Sequence, residues 1–286
     1  MLRKVLSDIF KEARDPRYFQ ILFLGTFLLY GVTYLGWKAD EGKYVALLVS
    51  VVLTQLAFTH YTTKRYSSIK SALITGLGLC LLLKTGSIHT AVLAAVIAIS
   101  SKFIIRIKNK HIFNPANIGI IAAILLTNDA WVSPGQWGSS VLLWFLVGAA
   151  GLMMILKVGR MDTTLTFIIT FGGLLFARQV VYLGWEPSVW LHQMSNGTLL
   201  LFTFFMITDP MTTPNHKNAR ILWSVVLAVA LFIASNFFYM QTAAIWLLVI
   251  ISPFTPLFDK LFKAQKYEWK VAQETKDIPL FSKAKN

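Results

Sequence analysis

Two proline-containing breaks hold the residue types best suited to polar chemistry. One reads Met206-Ile-Thr208-Asp209-Pro210-Met-Thr212-Thr-Pro214, close to the end of an apolar run; the other reads His111-Ile-Phe113-Asn114-Pro115-Ala-Asn117, just before a second apolar run. Asn114 before Pro115 has the form of a helix N-cap followed by proline at the first helical position. That arrangement leaves backbone N–H groups and the positive end of a helix dipole open to an anion. Asp209-Pro210 repeats the pattern with an acidic cap. Its carboxylate partly cancels the dipole and can instead accept a hydrogen bond from a ring N–H or hold a cation. The same spacing also suits two well-capped turns without any ligand, so the surrounding elements have to decide between the two.

Those elements are membrane helices. Of the 286 residues, 56% are hydrophobic and only 14% charged, which excludes a soluble domain with one buried core. Apolar runs of spanning length fall near 18–36, 44–62, 69–84, 88–105, 112–127, 139–157, 163–182, 191–208, 220–238 and 241–258. The spacing predicts an all-α polytopic protein of about ten crossings. Lysine and arginine gather before the first run and then in alternate connections (Lys64, Arg65, Lys70; Lys102, Arg106, Lys108, Lys110; Lys157, Arg160; Lys217, Arg220). By the positive-inside rule both termini are expected in the cytoplasm. The chain then divides into a cytoplasmic segment 1–17, one membrane domain 18–258 and a lysine-rich cytoplasmic tail 259–286, with the first helix serving as its own insertion signal.

Two of the runs look broken. The stretch 112–127 is short, and 191–208 is interrupted by His192, Gln193, Ser195, Asn196 and Gly197. Non-helical backbone at membrane depth is tolerated where it is buried in protein or lines a cavity, which is why broken helices mark ligand sites.

Other readings of the composition are narrower. The net charge of +14 follows from topology and attraction to anionic membrane lipids, so no nucleic-acid partner is expected. The single cysteine, Cys80, excludes a disulfide framework and a cysteine-ligated metal centre, and no metal site is expected. The histidines fall at helix ends or in loops rather than paired at mid-membrane, as a bis-histidine haem needs. No ladder of buried acids crosses the bilayer, as a self-contained proton pump tends to have. Asp162-Thr163-Thr164 reads as a helix N-cap, Arg178 as a snorkelling side chain, and Phe262, Tyr267 and Trp269 as aromatic residues able to dock on the membrane surface. No residue stands out as catalytic.

Taken together, Phe113-Asn114-Pro115-Ala116, Ser195-Asn196-Gly197-Thr198 and Phe204-Phe205-Met206-Ile207-Thr208-Asp209-Pro210-Met211-Thr212 resemble a known family, the NqrB/RnfD family. Its members are integral membrane components of the sodium-translocating NADH:quinone oxidoreductase (NqrB) and of the Rnf electron-transport complex (RnfD). The resemblance implies a urea-transporter-like fold of inverted repeats in the bacterial inner (cytoplasmic) membrane. It implies an electron-transfer subunit that binds flavin (FMN or riboflavin) or quinone and works with other redox subunits or electron carriers, coupled to cation movement. By that analogy Phe113, Asn114 and Pro115 lie near a cytoplasm-side pocket, with Thr208, Asp209, Pro210 and Thr212 as its opposite wall. The chain departs from the family where a threonine carries covalent FMN in a Ser/Thr-Gly-Ala-Thr signature. Here that loop is Thr127–Gly138 and lacks the signature, so a non-covalent flavin is expected. Thr198, in the partly similar Ser195-Asn-Gly-Thr198, is kept as the remaining attachment candidate. Trp131 and Trp137 in the shortened loop could cover a non-covalent ligand. A transporter or channel for a small polar solute or flavin, using the same cavity between broken helices, is the second functional class.

Overall fold

The computed structural model describes residues 15–37, 40–62, 69–107, 110–137, 148, 151 and 158–267. Helices dominate it. In chain order they are α1 (Pro16–Thr33), α2 (Glu41–Thr62), α3 (Ile69–Leu82), α4 (Ile88–Ile104), α5 (Pro115–Thr127), α6 (Met161–Phe176, continued by a π-helical turn to Tyr182), α7 (Pro187–Met194), α8 (Gly197–Leu201, continued by a π-helical turn to Met206), α9 (Lys217–Asn236), α10 (Ala243–Ile251) and α11 (Thr255–Leu261). The predicted run 139–157 lies outside the described residues except for Gly148 and Gly151, as do residues 1–14 and Trp269.

Four stretches are long and apolar enough to cross a bilayer: Glu41–Thr62, Met161–Tyr182, Lys217–Asn236 and Ala243–Leu261. Large apolar side chains on several helices point outward: Leu29 is 66% exposed, Leu125 65% and Ile169 69%. Apolar surface on that scale suits lipid rather than water. The chain is an all-α, multi-pass membrane protein.

Local sequence explains where the helices begin. Asp15 caps α1 by accepting from the Arg17 N–H at 3.0 Å, with Pro16 in the first turn. Ser87 caps α4 through the Thr90 N–H at 3.2 Å, and Asn196 caps α8 through the Thr198 N–H at 2.9 Å. Each cap satisfies an amide that the helix itself leaves unpaired. Asn128, at φ 51° in the left-handed region that asparagine tolerates, ends α5.

Two small antiparallel pairings tie the connections together. Strands β1 (Leu83–Thr85) and β4 (Ala130–Val132) pair at one end of the bundle, and β2 (Arg106–Ile107) and β3 (Lys110–His111) pair at the other. The second end also carries Arg17, Lys70, Lys102, Arg160 and Arg220 and is the basic end of the bundle. Close packing of α4 on α5 supports it. Ala91, Ala94, Ala95 and Ala98 are buried with Ala116 and Ala123. A Cβ on Gly119 would sit 2.7 Å from the Ala94 carbonyl. Small residues let the two backbones approach, as is common between helices in membranes.

The helices beside the two breaks are short. At 1.5 Å per residue, the thirteen residues of α5 reach only about 20 Å against a hydrocarbon core of about 30 Å. Gly197–Met206 is shorter still. Their ends therefore fall short of a full crossing.

Candidate functional site

Asn114 opens α5 as its residue type predicts. Its backbone is extended (φ −63°, ψ 123°), its side-chain oxygen accepts from the Asn117 N–H at 3.2 Å, and Pro115 takes the first turn. Asn117, fully buried, anchors the same turn by donating from Nδ2 to the Ile245 carbonyl of α10 at 2.9 Å. The N-terminus of α5 is thereby fixed against the far end of the chain.

Asp209 corrects the expectation of a second capped helix. No helix starts at Pro210: the next begins at Lys217, with His216 as its cap. Asp209 Oδ1 instead accepts from the Met211 N–H at 2.9 Å, an Asx-type turn. The Asp209 carbonyl accepts from the Thr212 and Thr213 N–H groups at 3.1 and 3.2 Å. Threonine is a weak helix former, and a residue before proline avoids the helical region. Thr212-Thr213-Pro214 therefore turns where Ala116-Asn117-Ile118 continues as a helix.

Ionic contacts hold this turn. Lys110 bonds the Thr213 carbonyl and pairs with Asp259 at 2.9 Å, while the other Asp259 oxygen accepts from the Asn215 N–H at 2.7 Å. Arg160 donates to the Pro214 carbonyl at 3.1 Å, and Arg220 donates to the Asn215 carbonyl at 2.6 Å. Arg220 also pairs with Asp162. The predicted cap role of Asp162 is thereby corrected, since α6 has Arg160 at its cap position without a side-chain cap bond. Burial, aided by the neighbouring Arg220, lowers the Arg160 guanidinium to about 10. Burial likewise lowers the Lys110 ammonium, against the pull of Asp259.

Both breaks open on one cavity of about 190 Å³ at the basic end. Asn114 and Pro115 line it from one break, and Thr208, Asp209 and Pro210 from the other. Lys102, His111 and Arg17 join them, and Leu24, Leu81, Phe205 and Met206 form the apolar walls. Lys102, in the last turn of α4, is 5% exposed and donates to the Ser71 carbonyl at 3.0 Å and the Ser71 hydroxyl at 3.2 Å. Arg17 pairs with Asp15 at 2.7 Å. Burial works against ionised Asp15, but the hydrogen bonds and charge of Arg17 prevail and hold its carboxyl below the usual range. Withdrawal from water, opposed by Asp209 and reinforced by Lys102, Arg106 and Lys110, pushes His111 down to about 4. His111 is therefore neutral near pH 7.

The remaining predicted residues fall elsewhere. Phe113 precedes the cap and is not on the cavity wall. Thr212 is buried, with its hydroxyl on the Asp209 carbonyl and its own carbonyl accepting from Thr255 at 3.1 Å. Thr198 sits in the first turn of α8, and its hydroxyl is buried without a hydrogen-bond partner among the described residues. Trp137 packs fully buried against Gly197, while Trp131 is half exposed on a separate cavity of about 370 Å³ at the opposite end. Phe262 stacks on His216 and Tyr267 lies against the Arg160 guanidinium, so both aromatics contact the protein itself. Sequence reasoning missed Lys102, His111 and Arg17 as wall residues. The available signal was a lysine in the last turn of an apolar helix, which topology alone had explained.

The cavity's chemistry is mixed. It offers the positive end of α5, a buried ammonium and a carboxylate between apolar walls, which suits the polar edge of a ring. The donors and acceptors present fit a flavin at Asn114, Asp209 and Lys102.

The Asp209 break, but not the Asn114 break, lies inside residues 125–268, the part of the chain that matches a family sequence pattern. A relative from Stutzerimonas stutzeri, the D subunit of an ion-translocating oxidoreductase complex, is 24% identical over 139 residues, covering 47% of this chain and 38% of the relative. The alignment thus spans well under half of that protein's length. The sequence pattern of the NQR2, RnfD, RnfE family matches residues 125–268, half of the chain, and with its membrane helices and its Thr208-Asp209-Pro210 turn the protein belongs to that family.

Proposed function

We propose that the protein is an electron-transfer subunit of a membrane oxidoreductase complex, binding flavin or quinone non-covalently in the cavity between its two proline breaks. The observation that carries this reading is the convergence of Asn114 and Asp209, far apart in sequence, on one cavity wall. Family membership and the name of the relative, a component of an ion-translocating oxidoreductase complex, support redox partners and coupling to cation movement. About ten crossings in a urea-transporter-like inverted repeat, with the basic end in the cytoplasm of a bacterial inner membrane, complete the proposal.

When bound, an isoalloxazine supplies the electron chemistry. The chain's own residues orient the ring and set its electrostatic surroundings. Asn114 would hold the Ala116 amide and the positive end of α5 toward electron-rich ring atoms, Asp209 would accept from a ring N–H, and the apolar walls would exclude water. Thr208 and Pro210 shape the turn that carries Asp209. Thr198, with a buried hydroxyl away from the cavity, does not hold the flavin covalently in this proposal.

An absorption spectrum of the purified protein tests the reading. A flavin band that disappears in Asp209→Ala or Asn114→Ala, with no fluorescence after denaturing electrophoresis, is expected. Colourless protein that moves a polar solute in proteoliposomes would overturn it in favour of a transporter.

A further inference from the structure

The charged wall has a particular donor and acceptor pattern. The Asp209 carboxylate has two oxygens, and Oδ1 is occupied by the Met211 N–H. Among the described residues Oδ2 has no hydrogen-bond partner. The Lys102 ammonium has three N–H donors, two of which reach Ser71. Among the described residues the third donor has no partner, on a buried side chain of the cavity wall. Lys102 and Asp209 are close enough to interact electrostatically, and both line the same cavity. An open acceptor and an open charged donor therefore line the same cavity, with the N-terminus of α5 as a further source of positive potential.

Quinones and cyclic imides answer this pattern differently. A quinone ring presents carbonyl acceptors only, which would suit Lys102 but leave the Asp209 carboxylate facing carbonyl oxygens. An unpaired or mismatched polar group in a low-dielectric site costs binding. A cyclic imide presents a carbonyl beside an N–H. Its carbonyl can accept from Lys102 while its N–H donates to Asp209 Oδ2. The cavity's size agrees with taking one edge. At about 190 Å³ it is smaller than the roughly 300–1,000 Å³ of pockets that enclose a drug-sized ligand, so it has room for one edge of a fused ring system and not for the whole.

We propose that the cavity is a cyclic-imide site, which reads the N3–H of an isoalloxazine through Asp209 and the adjacent C2 carbonyl through Lys102, and discriminates against quinones. This rests on the ligand site proposed above and narrows its ligand to the imide class. Uridine carries the same imide edge without the flavin's redox ring.

The test is equilibrium binding of riboflavin, 3-methylriboflavin, uridine and menadione to the full chain purified in detergent. Wild type is expected to bind riboflavin at least about tenfold more tightly than 3-methylriboflavin, the loss expected for one charge-assisted hydrogen bond, and to bind menadione more weakly still. Asp209→Asn keeps an oxygen for the Met211 amide but turns the free acceptor into a donor, so it should erase the preference for riboflavin over its N3-methyl form. Lys102→Met should weaken both flavins about equally and leave their ratio unchanged. Equal binding of the two flavins by wild type overturns the imide assignment while the flavin reading survives. Menadione bound more tightly than riboflavin also overturns it. Uridine bound in an Asp209-dependent way, with riboflavin rejected, keeps the imide assignment and removes the electron-transfer reading. Retention of none of these ligands overturns the assignment.

Discussion

At Asn114 the chain enters a helix directly: the side chain caps the Asn117 amide, Pro115 fits the first turn, and α5 packs its small residues against α4. At Asp209 an Asp-Pro pair leads into the six non-helical residues 211–216 before α9 begins at Lys217. The first break is held by helix packing, the second by ion pairs and hydrogen bonds to its carbonyls from Lys110, Arg160 and Arg220. Similar dipeptides thus give one cavity two unlike walls, an amide end that favours negative charge and a carboxylate that favours a donor. An anion alone would suit the first and be repelled by the second. In the proposed site that contrast would orient a ligand carrying both an acceptor and a donor.

Changes on the turn side should be felt most. Asp259→Ala removes the partner of Lys110 and the acceptor of the Asn215 amide, leaving a partly buried charge and an amide unpaired. A loss of about 2–3 kcal/mol is expected, seen as a melting temperature lower by roughly 4–8 °C in detergent. An unchanged melting temperature would show that ion pairs do not hold the Asp209 turn.

On the packed side, Gly119→Ala places a Cβ 2.7 Å from the Ala94 carbonyl. Overpacking of this kind costs about 1–3 kcal/mol and should displace α5 from α4. Thermal unfolding of this variant, with Gly25→Ala as the control because that site has open space around it, measures the effect. Asn114→Ala should follow at about 1 kcal/mol, the usual cost of a lost N-cap. Asn114→Ser should recover most of that stability, and failure to do so would assign the residue to ligand contact rather than capping.

The smallest expected effect is a pH dependence. His111 titrates near 4 in the folded protein, below its ordinary value of 6.5, so the unfolded chain takes up the proton first. Between about pH 6.5 and pH 4 the unfolded state binds more protons, and stability falls as the pH falls. Melting temperature should drop by roughly 1–3 °C from pH 7 to pH 6, and His111→Gln should flatten that slope. A slope unchanged in the variant would place the titrating group elsewhere.

Much of this was legible in the residues themselves. The apolar runs follow from hydropathy, and the cap at Asn114 follows from an asparagine before a proline and a helix-forming stretch. The Asp209 break was recognisable as a break, but its form was not, because the pattern at Pro210 resembles that at Pro115. Only the Thr212-Thr213-Pro214 sequel and the pull of distant side chains separate the two. Asp162 looked like a cap and became the partner of Arg220, fifty-eight positions away. Phe113, Thr212 and Thr198 were reasonable by motif, yet none lines the cavity.

The amino-acid sequence alone determined the membrane class, the positions of the two breaks and the capping of α5. These depend on hydropathy and on hydrogen bonds that close within a few residues. Tertiary structure decided that both breaks share a cavity, that Lys102 and His111 stand on its wall, and that among the described residues one Asp209 oxygen has no hydrogen-bond partner. Those outcomes depend on which helices pack together and which distant carbonyls and carboxylates the basic side chains reach, and no local pattern encodes them.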